Sequence, residues 1–360
     1  MGINFESSEP LSFEMVAQLR AAVIDVFEVH EQEFDTDQLR RRVVRLRGRF
    51  LTEASRAYDR VASRFRELGY TALFREDGGK EAILAIPGTL SQTRSGERPW
   101  LAAALFVATL ISVFLVQGWE FALSLLSILL AHEMGHYLVA RRFDVPVSLP
   151  YFIPMPFFAL GTMGAFIRMQ GPPKDRRQLL AIAAAGPLAG LVLAIPILIL
   201  GLSISEVHVI PPPSPDRISF IEGNSLLYAG LKIWIFGRFL PSGGEDVFLH
   251  PVAFAGWVGL LVTALNLIPA GQLDGGHAVY ALLGNRARPL YWVIILTLVG
   301  LGLRLWNGWF LWAALIFFFG QRHATPFNDI TPLEGHYRTL ALFVIILFIL
   351  VFVPTPFRIQ

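Results

Sequence analysis

Apolar runs long enough to cross a bilayer constrain this chain more than any other feature. Trp100 to Trp119 and Phe121 to Ala140 follow one another almost without interruption, and Leu179 to Leu202 is a third such run. A helix needs about 20 apolar residues to cross ~30 Å of hydrocarbon, and it satisfies its own backbone hydrogen bonds while doing so. Further runs at Val247 to Ile268, Leu290 to Leu303, Trp309 to Phe319 and Thr339 to Val353 bring the expectation to six or seven spans. Of the 58 charged side chains, 30 fall in residues 1 to 97, so a soluble unit over 1–97 is expected to precede a membrane unit over 98–360. A net charge of +2 lacks the basic excess of a nucleic-acid binder, and no nucleic-acid partner is expected. Cysteine is absent, which excludes disulfides, thiolate-held metals, iron–sulfur clusters and thiol catalysis. Any metal must be held by His, Asp or Glu.

Within residues 1–97, Phe13 to Val29 has the apolar spacing of a helix, and an acidic patch from Glu28 to Asp37 follows it. Val43 to Leu51 alternates as a strand, Glu53 to Leu68 reads as an amphipathic helix, and Tyr70 to Phe74 with Ala82 to Ile86 flanks a Gly78-Gly79 turn as a hairpin. The expectation is a small α/β domain of β-α-β-β order without chemistry of its own, with Arg40-Arg41-Arg42 on a solvated face. The first twenty residues contain Glu6, Glu9 and Glu14 and neither a basic start nor an apolar core, so the first span is expected to act as the targeting signal. A bacterial plasma membrane fits that expectation.

Basic residues flank the spans unequally. With the N-terminal domain in the cytoplasm, eleven of them, Arg98, Arg141, Arg142 and Arg168 among them, fall on cytoplasmic flanks, and five, such as Lys232 and Arg238, fall outside. The positive-inside rule therefore favours a cytoplasmic N-terminus. On this topology the segment from Ser203 to Asp246, with Pro211-Pro212-Pro213 and an apolar stretch from Leu226 to Leu240, lies outside along the bilayer interface.

The second apolar run contains Ala131-His132-Glu133-Met134-Gly135-His136-Tyr137, three ionisable groups where burial is expensive and function is the default explanation. Histidines four apart share one helix face, with Glu133 beside them, which is the geometry of two zinc ligands and a general base. Catalytic zinc usually takes three protein ligands and a water. The best third ligand is Asp274, in Asn266-Leu267-Ile268-Pro269-Ala270-Gly271-Gln272-Leu273-Asp274-Gly275-Gly276-His277 at the cytoplasmic end of the fourth run. Pro269, Gly271 and the Gly275-Gly276 pair are expected to unwind the helix there, which is tolerated beside protein or a wet cavity. His277 is a rival ligand or a supporting residue, and Asn266 either hydrogen-bonds the substrate backbone or caps the broken helix.

These motifs resemble the site-2 protease family of intramembrane zinc metalloproteases. The His132-Glu133-Met134-Gly135-His136 helix is similar to its first motif, and Asn266-Leu267-Ile268-Pro269 with Leu273-Asp274-Gly275 is similar to its second. Ala185-Gly186-Pro187 resembles a family element that often continues to an Asn, where this chain has Gly190. Pro150 to Met169 resembles the family's re-entrant β segment, so the likeness covers residues 100 to 285, and Leu46-Arg47-Gly48-Arg49-Phe50 points to the plastid and cyanobacterial branch without PDZ or CBS modules. The resemblance implies one zinc ion per chain on His132, His136 and Asp274, with Glu133 as general base. It also implies hydrolysis of a peptide bond in or near a transmembrane helix of another membrane protein, in the lipid bilayer.

A helical substrate must be unwound before it can be cut. Gly161 and Gly164 permit a tight turn in the β segment, and Gly164, Ala165, Phe166 and Ile167 are expected to bind the extended substrate by strand addition, the alternative being a loop that only packs. A different class of function, a membrane transporter or carrier of divalent metal, would use the same ligands for a permeating ion.

Overall fold

Strands that alternate charge against charge build the N-terminal unit. The computed structural model describes residues 13–36, 42–89, 98–211, 220–320 and 325–359. They form two units, the first made of residues up to Ser95 with Met169–Leu179 and Thr325–Glu334. Its elements are α1 (Phe13–Ala21), β1 (Phe27–Thr36), β2 (Arg42–Phe50), α2 (Ala54–Glu67), β3 (Tyr70–Asp77) and β4 (Lys80–Pro87), with the strands ordered β1-β2-β4-β3 and every pair antiparallel. The hairpin turns at Gly78 and Gly79, both at positive φ, and α2 covers the sheet with Ala57, Tyr58, Val61 and Phe65.

One expectation is corrected here. The helix over Phe13 to Val29 ends at Ala21, and the acidic patch is a strand, so the order is α-β-β-α-β-β. Acidic alternation reads as loop when taken alone, but β1 lies beside basic β2: the Arg47 guanidinium is 2.6 Å from Glu33 and 2.8 Å from Asp77, and Lys80 is 2.7 Å from Glu31. The same unit takes in segments from later in the chain. Residues 327–329 form a backbone ladder with β3, through Phe74 N–H to Phe327 O and Asp329 N–H to Phe74 O, and with Pro173 and Lys174 on their other side. The part-buried Arg176–Asp329 pair, 2.8 Å apart, ties the two added segments together. Residues 37–41, which include Arg40 and Arg41, lie outside the described residues.

The second unit holds the apolar helices. In chain order it contains α3 (Pro99–Gln117), α4 (Trp119–Arg142), β5 (Tyr151–Pro154), β6 (Thr162–Phe166), α5 (Arg176–Ser203, its first turn in the other unit), β7 (Glu206–Val209), β8 (Phe220–Glu222) and α6 (Leu226–Phe236). There follow β9 (Glu245–Phe248), α7 (Pro251–Asn266), α8 (Asp274–Leu283), α9 (Arg288–Arg304), α10 (Gly308–Phe319), α11 (His336–Val351) and β10 (Phe357–Ile359). Among the described residues, four helical stretches are long and apolar enough to cross a membrane: α3, α4, α5 and the continuous run Asp274–Arg304. Their outer faces carry Ile111, Leu115, Leu123, Val192, Leu296 and Leu303, each more than half exposed, the surface a helix presents to lipid.

The fourth expected span departs most from its sequence reading. Residues 247–268 begin in β9, which pairs with β7, and continue as a 16-residue α7 buried on almost every side. Such a helix is only ~24 Å long. Fully apolar sequence is what a central helix requires, because it meets neighbours all round. On the segment before it, Lys232 of α6 is fully buried, 3.1 Å from Glu222 and 3.0 Å from Asp246, so protein contacts anchor the stretch expected at the interface. Pro212 and Pro213 lie outside the described residues.

Candidate metal centre

Helix α4 faces its neighbours with one stripe: Phe121, Ala122, Leu125, Leu126, Ile128, Leu129, His132, Glu133, His136 and Ala140 are all buried. The spacing is that of any apolar helix face, and the ionisable groups simply continue it, so they point into protein. The opposing carboxylate arrives at a break between helices. Helix α7 stops at Asn266, residues 267–273 form a non-helical link with Gly271 at φ 65°, and α8 starts at Asp274. A carboxylate in the first turn of a helix is favoured by the unpaired N–H groups there. The Gly275-Gly276 pair does not unwind anything; both residues are helical. A Cβ on Gly275 would lie 1.9 Å from the Leu267 carbonyl oxygen and one on Gly276 2.5 Å from that of Gly271, so the pair lets the turn fold flat onto α8.

Three ligand atoms converge. His132 Nε2 and His136 Nε2 are 3.2 Å apart, and Asp274 Oδ2 lies 3.4 Å from the first and 3.2 Å from the second. Ligand atoms at 2.0–2.2 Å from a tetrahedral zinc are separated by about 3.3–3.6 Å, so this triangle is close to one face of that tetrahedron and leaves the fourth corner open. Helix α5 sets the direction of one ring: His136 Nδ1 lies 2.7 Å from the Ile182 carbonyl oxygen, which can only accept, so Nδ1 carries the hydrogen and Nε2 keeps its lone pair for the centre. The donor set of two imidazoles and one carboxylate, in a chain without cysteine, fits a catalytic zinc ion.

The remaining expected residues divide. Asn266 reaches the site, its Nδ2 3.3 Å from His132 Nε2. Glu133 is buried and has all three ligands and the Ile167 backbone as electrostatic neighbours. Gly164, Ala165 and Phe166 belong to β6, which among the described residues pairs only with β5 in a two-stranded sheet and lies against α4. Gly164 has φ 95° and open space around it. His277 follows in α8 and is not in the ligand group. The contribution of Ile182 was not foreseen, because a backbone carbonyl carries no side-chain signal.

Comparison with known proteins decides the family. The model of peptidase family M50 matches residues 120–305, which contain every one of these groups.

The chain belongs to peptidase family M50. It is similar to "Probable zinc metalloprotease EGY2, chloroplastic" of Oryza sativa subsp. indica, 29% identical over 344 residues that cover 86% of this chain and 61% of that protein. It is similar also to the Arabidopsis thaliana proteins of the same description, EGY2 and EGY1, each 32% identical over 68% of this chain and 43% and 44% of theirs. The chain thus spans about three fifths of the length of the rice relative and less of the others. No solved structure matches it. An M50 protein with these apolar helices is an integral membrane protein. The relatives are described as chloroplastic, so they lend no support to a bacterial location, and nothing among them supports a metal carrier.

Proposed function

We propose that this M50 protein is an intramembrane zinc metalloendopeptidase that cuts other membrane proteins within or near a transmembrane helix. The observation that carries the reading is the His132, His136 and Asp274 triangle, a set of zinc-spaced ligands on helices long and apolar enough to lie in a bilayer. A bound zinc ion acidifies a water and polarises the carbonyl to be cleaved. Glu133, at the edge of the triangle, takes the proton of the attacking water and returns it to the leaving amine. Asn266 donates to the substrate backbone beside His132.

The segment from Gly164 to Ile167, the end of β6 and the residue after it, holds the substrate extended. Its support is the edge of β6 that pairs with no strand among the described residues, and the packing of β6 on α4, the helix that carries Glu133. We also propose six or seven spans, residues 1–97 and 98–360 as the two domains, and a cytoplasmic N-terminal domain in a bacterial plasma membrane; the eleven-to-five division of basic flanks supports the orientation.

The test is purified full-length protein with a panel of single-span substrates. Cleavage should occur, stop with a zinc chelator, and be lost in Glu133→Ala. Cleavage at the native rate by Glu133→Ala would overturn the assignment.

A further inference from the structure

Helices α4 and α5 meet where neither has a side chain to spare. A Cβ on Gly135 would lie 2.4 Å from the Ala185 carbonyl oxygen, so α4 and α5 approach backbone to backbone. On α5, a Cβ on Gly186 would lie 2.0 Å from Nε2 of His136 and 2.4 Å from its Cδ2. One turn further, a Cβ on Gly190 would meet His132 at 3.3 Å. Both glycines sit inside a helix, where positive φ plays no part, and so the room they leave is their contribution.

The two positions are not equivalent. At Gly190 a shift of a few tenths of an ångström would admit a methyl group. At Gly186 the ring itself fills the space, and the ring has nowhere to go. Its Nδ1 is tied to the Ile182 carbonyl at 2.7 Å, and its Nε2 is the atom that faces His132 and Asp274, each at 3.2 Å. Relieving the overlap requires a displacement of more than ~1 Å, which removes either the tie or the ligand atom from its place.

We infer that Gly186 is a positioning residue of the metal centre: its bare backbone is the floor on which the His136 ring lies with Nε2 aimed at the metal, whereas Gly190 is permissive. The inference rests on the zinc peptidase reading above. It differs from simple small-residue packing of α4 on α5, which would make position 186 matter whether or not His136 is present.

The experiment uses full-length protein in detergent, with zinc affinity measured by titration and thermal unfolding measured without metal. G186A should bind zinc at least roughly tenfold more weakly, the range seen when a residue supporting a ligand is lost, and G190A should stay within about threefold of native. In the H136A background, adding G186A should leave the metal-free melting temperature unchanged, because the ring it would strike is gone. Should G186A alone fail to fold, recovery of folding in H136A/G186A supports the inference. Native zinc affinity in G186A, or equal destabilisation by G186A with and without His136, overturns it. A native protein that binds no zinc would instead sink the function, and the unfolding comparison would still report on Gly186 and His136.

Discussion

Two imidazole nitrogens and a carboxylate oxygen within 3.4 Å of one another make roles at the residue scale separable. Asp274 offers one of the three candidate ligand atoms, so Asp274→Ala should lower zinc content sharply in metal analysis of the purified protein. Glu133 lies beside the triangle and outside it, so Glu133→Gln should keep nearly full zinc while hydrolysis stops. Full zinc content and activity in Asp274→Ala would remove it from the ligand set. Both histidines, Glu133 and Asp274 were legible in the sequence as candidates because each is an ionisable group where burial demands a reason. The Ile182 carbonyl and the space over Gly186 were not, since one is backbone and the other is the absence of a side chain.

At the scale of elements, the consequence lies in β6. One side of this strand pairs with β5, its other edge pairs with no strand among the described residues, and the strand packs on α4. Proline at 165 or 166 removes a backbone N–H without altering a metal ligand. Ala165→Pro and Phe166→Pro should each reduce cleavage of a single-span substrate by at least roughly tenfold, ~1.4 kcal/mol, with zinc content and detergent stability retained. Normal rates in both variants would make the segment packing only. The glycine pair in α8 teaches a related point. Gly275-Gly276 suggested an unwound helix, and both residues are helical because what they permit is close approach by residues 267–271. Sequence shows that a side chain is missing; only the fold shows which neighbour uses the space.

For the whole molecule, the proposed orientation rests on the basic flanks. The chain has no cysteine, so Ser63→Cys in α2 and Ser242→Cys before β9, both exposed, give a clean pair of reporters. A membrane-impermeant thiol reagent on intact cells should label position 242 and spare position 63. The reverse pattern would invert the topology. What sequence alone determined here is chemical: apolar runs that need a bilayer, a charged first hundred residues, and ligand types at helical spacing, all properties of residues within a few turns of each other. The tertiary structure decided what depends on distant partners. An acidic stretch became β1 because a basic strand lies beside it, residues 327–329 joined the N-terminal sheet from the far end of the chain, and α7 proved a short central helix whose apolar sequence matches that of a lipid-facing one. Local pattern records how much apolar surface a segment must bury, and long-range packing settles what buries it.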